Sequence, residues 1–308
     1  MYIHKSVLLD EAINNLAIKP DGIYVDATTG GGGHSKKILE KLTTGHLYCF
    51  DQDEYALKRS KTILDEISSN YSLIQANFKD LKIELNKLGI NRIDGIIYDL
   101  GVSSFQLDIP ERGFSYNYDA PLDMRMNQNQ VLTARKIVNE YSFDEIMKII
   151  YRYGEENNAK LIARGIERER KIKPIETTFD LVDVIKKSLP QKALNKKGHP
   201  AKQTFQALRI AVNDELRVFE TSILDALDML NIKGRAVVIT FHSLEDRICK
   251  TIFKEKTTLK DIPGLPIMID NDLSFELITK HPIIPSIEEL NSNNRAHSAK
   301  MRVIEKIK

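Results

Sequence analysis

The sequence predicts an α/β fold in which a parallel sheet is interrupted by an inserted all-helical subdomain. Three observations carry that reading. Ile23-Tyr24-Val25-Asp26-Ala27 leads into Thr28-Thr29-Gly30-Gly31-Gly32-Gly33-His34-Ser35, then a helical pattern, then His46-Leu47-Tyr48-Cys49-Phe50-Asp51. That is a strand, a glycine loop, a helix and a second strand ending in an acid. Two further apolar runs, Ile93–Asp99 and Gly234–Phe241, have the length and β-branched content of buried strands. Between them, from about Leu132 to Lys197, helical periodicity dominates and strand signals are nearly absent. The expected parts are 1–126 for the first part of the sheet domain, 127–201 for the insert and 202–308 for the second part.

Taken in order, His4 to Ala12 leads into a short helix whose apolar positions are Val7, Leu8, Ala12, Ile13 and Leu16. The glycine run permits a tight turn in which backbone approaches a ligand closely. Ser35 is the expected cap of a helix to Leu42. Asp51 is placed to accept hydrogen bonds from a ribose. A helix over Glu54 to Ser68 precedes a short strand, Leu73 to Ala76, and Phe78 at its exit either lies against an adenine face or fills the core. Asp99 ends the next strand on the same rim as the glycine loop, either lining the ligand crevice or capping the next helix.

Glu111 to Ser115 and Pro121 to Met126 lack periodicity and read as loops. Helices come next at Ala134–Glu140, Phe143–Tyr153, Asn158–Arg170 and Phe179–Ser188, the last capped by Thr177 or Thr178. From Val184 to Lys202 the basic residues are Lys186, Lys187, Lys192, Lys196, Lys197 and Lys202, with no acid among them. The segment is either a phosphate-binding surface or a solvated loop. Lys202 to Leu230 reads as one long amphipathic helix striped by Phe205, Leu208, Val212, Leu216, Phe219, Ile223, Leu227 and Leu230. A helix capped by Ser243 comes after the strand at Gly234–Phe241. A Pro-containing loop leads to a last strand, Lys300 to Ile304.

Composition narrows the class. With 308 residues, 42% hydrophobic and 29% charged, the chain has the profile of a soluble globular protein of one large or two smaller domains. No apolar run has bilayer length and Met1 to Lys5 lacks a signal core, so a cytoplasmic protein with no membrane partner is expected. The two cysteines, Cys49 and Cys249, have no metal-ligand spacing, and no metal is expected. Gly30-x-Gly32-Gly33 is not the dinucleotide fingerprint, and no Gly-Lys-Ser/Thr comes after it. A smaller adenosine ligand such as S-adenosylmethionine fits this pattern better than a nicotinamide dinucleotide or a nucleoside triphosphate.

The motifs together resemble the bacterial small-subunit ribosomal RNA methyltransferase H family, also called MraW. They are Thr28 to Ser35, Asp99-Leu100-Gly101-Val102-Ser103-Ser104, Glu111 to Ser115, Leu122 to Met126, Tyr153-Gly154-Glu155-Glu156, His199-Pro200-Ala201 with Thr204 to Ile210, and Phe241 to Arg247. They span nearly the whole chain in the family's order, with departures at Ser6, Asn294 and His297 in the terminal segments. The resemblance implies a Rossmann-like class I S-adenosylmethionine-dependent methyltransferase domain with an inserted helical substrate-recognition subdomain. It implies methylation of the exocyclic N4 of a cytidine in the decoding centre of 16S rRNA, and a homodimer. It also carries over the cofactor residues Gly32, Gly33, His34, Asp51, Phe78, Asp99 and Gln106.

Cytosine's exocyclic amine is a poor nucleophile because its lone pair is delocalised into the ring. Catalysis therefore rests on holding the amine in line with the methyl group and on an acceptor for its N–H. Asp99 is the catalytic candidate, acting on the amine or on the cofactor alone. The target base must leave its stack to react. Candidates to hold the RNA are Ser103, Ser104, Arg112, Arg125, Lys196, Lys197, His199 and His242, the last either lining the substrate pocket or opening a helix. Methylation at a ring carbon needs a cysteine nucleophile, and Cys49 in a strand and Cys249 in a helix disfavour it.

Overall fold

The structure is a computed structural model and describes residues 6–258 and 273–308, with the side chain of Ser104 outside the described set. His4-Lys5 of the expected lead-in, and residues 259–272 of the Pro-containing loop, lie outside the described residues. The strands are β1 (Ile23–Asp26), β2 (His46–Asp51), β3 (Tyr71–Gln75), β4 (Ile93–Asp99), β5 (Leu230–Thr240), β6 (Phe275–Leu277) and β7 (Lys300–Lys306). The first helices are α1 (Leu9–Leu16), α2 (Gly33–Leu39), α3 (Glu54–Leu64) and α4 (Leu81–Lys87). Then come α5 (Ser104–Asp108), α6 (Ala134–Glu140), α7 (Phe143–Gly154), α8 (Ala159–Arg170), α9 (Thr178–Ser188), α10 (Gln191–Leu194) and α11 (Lys202–Asn213). The last are α12 (Glu215–Met229), α13 (Ser243–Thr257) and α14 (Ile287–Ser292).

The chain divides into two compact units, one formed by Met1–Gly101 with Leu216–Lys308 and the other by Val102–Glu215. In the first, the sheet order is β3-β2-β1-β4-β5-β7-β6. β1 to β5 run parallel, β7 is antiparallel to β5, and β6 is antiparallel to β7. Both faces are buried, which is why the strands read as continuous apolar runs. Side-chain alternation sends Val25, Ile96, Tyr98 and Val238 to one core and Tyr24, Ile97, Val237 and Ile239 to the other. Register fixes the rim: Asp26 stands opposite Cys49 on β2 and Ile97 on β4. Asp51 and Asp99 therefore each project two residues past Asp26, on the two strands that flank the glycine loop.

The second unit is helical and has its own core, in which Ile137, Ile146, Ile150, Ile162, Leu181 and Ile185 are fully buried. It begins earlier and ends later than the 127–201 expected for the insert. Phe114, Leu122 and Met124 before it, and Phe205, Leu208 and Val212 after it, belong to the same core. Phe114, Leu122 and Met124, too sparse for periodicity, thus still fold with the helices.

Three local expectations are corrected. The long helix over Lys202 to Leu230 is broken at Asp214, whose φ of 51° is left-handed. Asn213 draws the chain aside there: its Nδ2 donates to the Met124 carbonyl and its Oδ1 accepts from Met126 N–H, each at 2.9 Å. The single stripe serves two cores, Phe205, Leu208 and Val212 in one and Phe219, Ile223, Leu227 and Leu230 in the other. Ser35 does not cap α2, which starts at Gly33 behind Gly32. The Ser35 hydroxyl instead donates to buried Asp26 at 2.6 Å. Ser243 likewise lies inside α13, and His242 is the cap residue.

Candidate cofactor site and substrate surfaces

The first unit's site is built where β1, β2 and β4 end. Gly32 turns the chain at φ 78°, a conformation that Cβ-bearing residues adopt only at a cost. Gly33 must be small for a different reason: a Cβ there would stand 1.9 Å from Ser6 Oγ. The loop is pinned by side chains. Ser60 Oγ donates to the Gly30 carbonyl at 3.0 Å, and Thr28 Oγ1 accepts Asp99 N–H at 2.6 Å. Sequence reasoning missed Thr28, whose only signal was a polar pair in front of the glycines.

Asp51 ties the loop to β2. Its Oδ2 accepts Gly30 N–H at 2.9 Å and its Oδ1 accepts Asp53 N–H at 2.8 Å. Each carboxylate oxygen has a second lone pair, so the group can brace the loop and still receive ribose hydroxyls. Burial pushes its pKa up to about 7, with the carboxylates of Asp53 and Asp26 adding to the rise. Hydroxyl donors would favour the charged form. Phe78 is partly buried against the core and meets Tyr98 edge-on, with centroids 5.8 Å apart and planes at 83°.

Asp99 and His34 form the other side. His34 Nδ1 lies 3.5 Å from Asp99 Oδ2, and His34 Nε2 lies 3.2 Å from the Val7 carbonyl oxygen. Among the described residues Asp99 Oδ1 is buried without a hydrogen-bond partner, although 23% of the side chain is reachable by solvent. Burial raises the Asp99 pKa well above the usual carboxylate range, and Asp26, Glu245 and Glu289 reinforce it. A buried acceptor without a donor is costly, and a cationic amine would satisfy it. The glycine turn, the acid on β2 and this unsatisfied oxygen fit an adenosine cofactor with an ammonium group.

His242 belongs to the α13 cap: its Nδ1 accepts Glu245 N–H at 3.4 Å, while Glu245 Oε2 accepts Phe241 N–H at 2.8 Å. Its Nε2 stands 3.1 Å from Glu245 Oε1. Of the two alternatives, this geometry matches the helix-entry role.

In the second unit, Ser103 N–H donates to the Gln106 side-chain carbonyl at 3.1 Å, so Gln106 closes the first turn of α5. Ser104 offers no described side chain. Arg112 is buried, and its Nη2 donates to the carbonyls of Arg125 and Met126 at 2.9 and 3.0 Å. Arg125 holds Asp123 bidentately, Nε to Oδ1 at 2.9 Å and Nη2 to Oδ2 at 2.7 Å, and its Nη1 donates to the carbonyls of Gln128 and Gln130. Both guanidiniums knit the 112–130 loops together. Lys186, Lys187, Lys192, Lys196, Lys197 and Lys202 are all exposed. His199 stacks on Tyr116, centroids 4.3 Å apart and planes at 5°, and its Nδ1 accepts Ala201 N–H at 3.2 Å. Burial, with Lys186 nearby, lowers the His199 pKa. Tyr116 was missed because a lone tyrosine in an aperiodic loop gives no signal.

Comparison with known proteins gives the site a context. A relative named ribosomal RNA small subunit methyltransferase H, from Limosilactobacillus fermentum, is 55% identical over 309 aligned residues, covering 99% of this chain and 98% of the relative. Among solved structures, an rRNA methylase from Streptococcus thermophilus matches at TM-score 0.43 and 14% identity, covering 97% of this chain and 93% of its own. A Streptococcus mutans protein crystallised with SAH matches at TM-score 0.45 and 14% identity, covering 99% and 100%. The family model described as the MraW methylase family matches residues 1–307. With that match and a relative aligned end to end, the chain belongs to the MraW methylase family.

Proposed function

We propose that this protein transfers a methyl group from S-adenosylmethionine to the exocyclic N4 of a cytidine in the decoding centre of 16S rRNA, within the small ribosomal subunit. The observation that carries the reading is the end-to-end 55% identity to a small-subunit rRNA methyltransferase. The first unit adds a site with the cofactor's chemical features. The fold is that of a class I methyltransferase, and the methyl donor is S-adenosylmethionine. When bound, the donor supplies an electrophilic methyl on a sulfonium.

The protein's own residues do the rest. Gly32 and Gly33 keep the loop bare for close approach, Asp51 receives the ribose hydroxyls, and Phe78 supplies an aromatic face. Asp99 holds the methionine end through Oδ1, so its part in catalysis is to fix the donor. Acceleration then comes mainly from orientation, which supplies up to roughly 7–11 kcal/mol in well-aligned reactions. Ring-carbon methylation would need a thiolate, but burial pushes both the Cys49 and Cys249 thiols up; amine methylation needs none. The exposed lysines around Lys196 and Lys197, with His199 beside them, are assigned to RNA phosphates.

The test is transfer of labelled methyl from S-adenosylmethionine to 30S subunits lacking this modification. Label in 16S rRNA is expected. Tight cofactor binding with no label in any small-subunit preparation would refute the substrate.

A further inference from the structure

The contact between His34 and Asp99 poses a proton-counting problem. The Val7 carbonyl can only accept, so the proton of a neutral His34 sits on Nε2, 3.2 Å away. Nδ1 then turns a lone pair toward Asp99 Oδ2 at 3.5 Å. Two lone pairs facing each other repel unless a proton lies between them, as imidazolium with carboxylate or imidazole with carboxylic acid. Both forms hold the same number of protons, so the contact counts as one stored proton however it is divided.

Among the described residues, the groups around the pair favour holding that proton. Asp26 on β1, Glu245 on α13 and Glu289 on α14 all act on Asp99 with negative charge, and burial acts in the same direction. Thr28 adds only a neutral hydroxyl, which accepts the Asp99 N–H. Among the described residues the buried Oδ1 has no donor of its own.

We propose that the His34–Asp99 pair stores one proton in the cofactor-free protein and releases it to solvent when the cofactor's ammonium group donates to Asp99. The incoming cation takes over the role of the stored proton: it satisfies Oδ1 and stabilises the carboxylate. His34 is a positioning residue in this scheme. Tied to Val7 through Nε2, its neutral ring has no N–H to offer Asp99, and this keeps the carboxylate from forming early. The proposal rests on the cofactor assignment above.

The experiment is titration calorimetry with S-adenosylhomocysteine, which carries the same ammonium, in buffers of different ionisation enthalpy from about pH 6 to about pH 9. The account predicts release of about one proton per ligand at the acid end, fading at the alkaline end, with Kd tightening up to about tenfold per pH unit between them. Asp99→Asn abolishes the release. His34→Gln still reaches Val7 and also offers a second N–H to Asp99, so the midpoint of the release moves about one unit to lower pH. Thermal melts check that both variants fold. Binding without proton release in the wild type overturns the proposal and leaves the cofactor assignment standing. Absence of binding at every pH overturns the cofactor assignment itself. An unmoved midpoint in His34→Gln removes His34 from the scheme.

Discussion

Replacing Gly33 by alanine tests whether the glycine loop is shaped by its neighbour. The added Cβ would stand 1.9 Å from Ser6 Oγ and 3.1 Å from Ser6 Cβ. Ser6 is only 5% exposed, so its hydroxyl cannot simply swing into water. Restoring ordinary contact requires a shift of about 1.5 Å, and overpacking of this kind costs about 1–3 kcal/mol. For a chain of this size that lowers Tm by about 2–10 °C. Ser6→Gly removes both clashing atoms, so the double variant should recover most of the loss. Ser6→Ala leaves the Cβ contact and should recover only part. Melts of the wild type, Gly33→Ala, Ser6→Gly and the double variant, with S-adenosylhomocysteine titrations alongside, form a double-mutant cycle. A Gly33→Ala protein that melts like the wild type would refute the reasoning, as would a deficit that Ser6→Gly leaves intact.

Asp26 is buried and its pKa is raised to about 6, so the folded state binds its proton more tightly than the unfolded chain. Stability is then greatest at acid pH and falls as pH rises from about 4 through 6, by about 3 kcal/mol from this group. Urea melts at the two ends should show that loss in the wild type and not in Asp26→Asn; an equal loss in both would contradict it. Lys196→Ala with Lys197→Ala should reduce the slope of log affinity for RNA against log salt by about 1.4, and an unchanged slope would remove these lysines from the RNA surface. Arg125→Lys should lower stability by about 1–2 kcal/mol, because lysine cannot reproduce the bidentate grip on Asp123, and should leave that salt slope alone. The reverse pattern would place Arg125 on the RNA surface.

The sheet was legible because strands buried on both faces are continuous apolar runs: the expected Ile93–Asp99 is the observed β4. The helix α9 was equally plain, with Thr177 one of its two expected caps; Thr177 caps it and pairs with Asp180 in its first turn. The short edge strand β6 was not found, since Phe275–Leu277 is too brief to show a period. The break at Asp214 was hidden because the apolar stripe passes through it unbroken. Arg112 and Arg125 show what charge alone leaves out: a sequence displays a guanidinium but not the carbonyls that surround it. The His34–Asp99 contact joins residues far apart in the chain, and only the register of β1 against β4 brings them together. Asp51 and Asp99 were legible as acids at strand ends on one rim, which is a consequence of the topology.

Methylation of an amine, in place of a ring carbon, is the central chemical claim. It is tested most directly by digesting the labelled 16S rRNA to nucleosides and identifying the methylated product by mass spectrometry against synthetic standards. The account predicts label in N4-methylcytidine. Label in 5-methylcytidine would contradict it, because that product demands a thiolate from a protein whose two cysteines are buried.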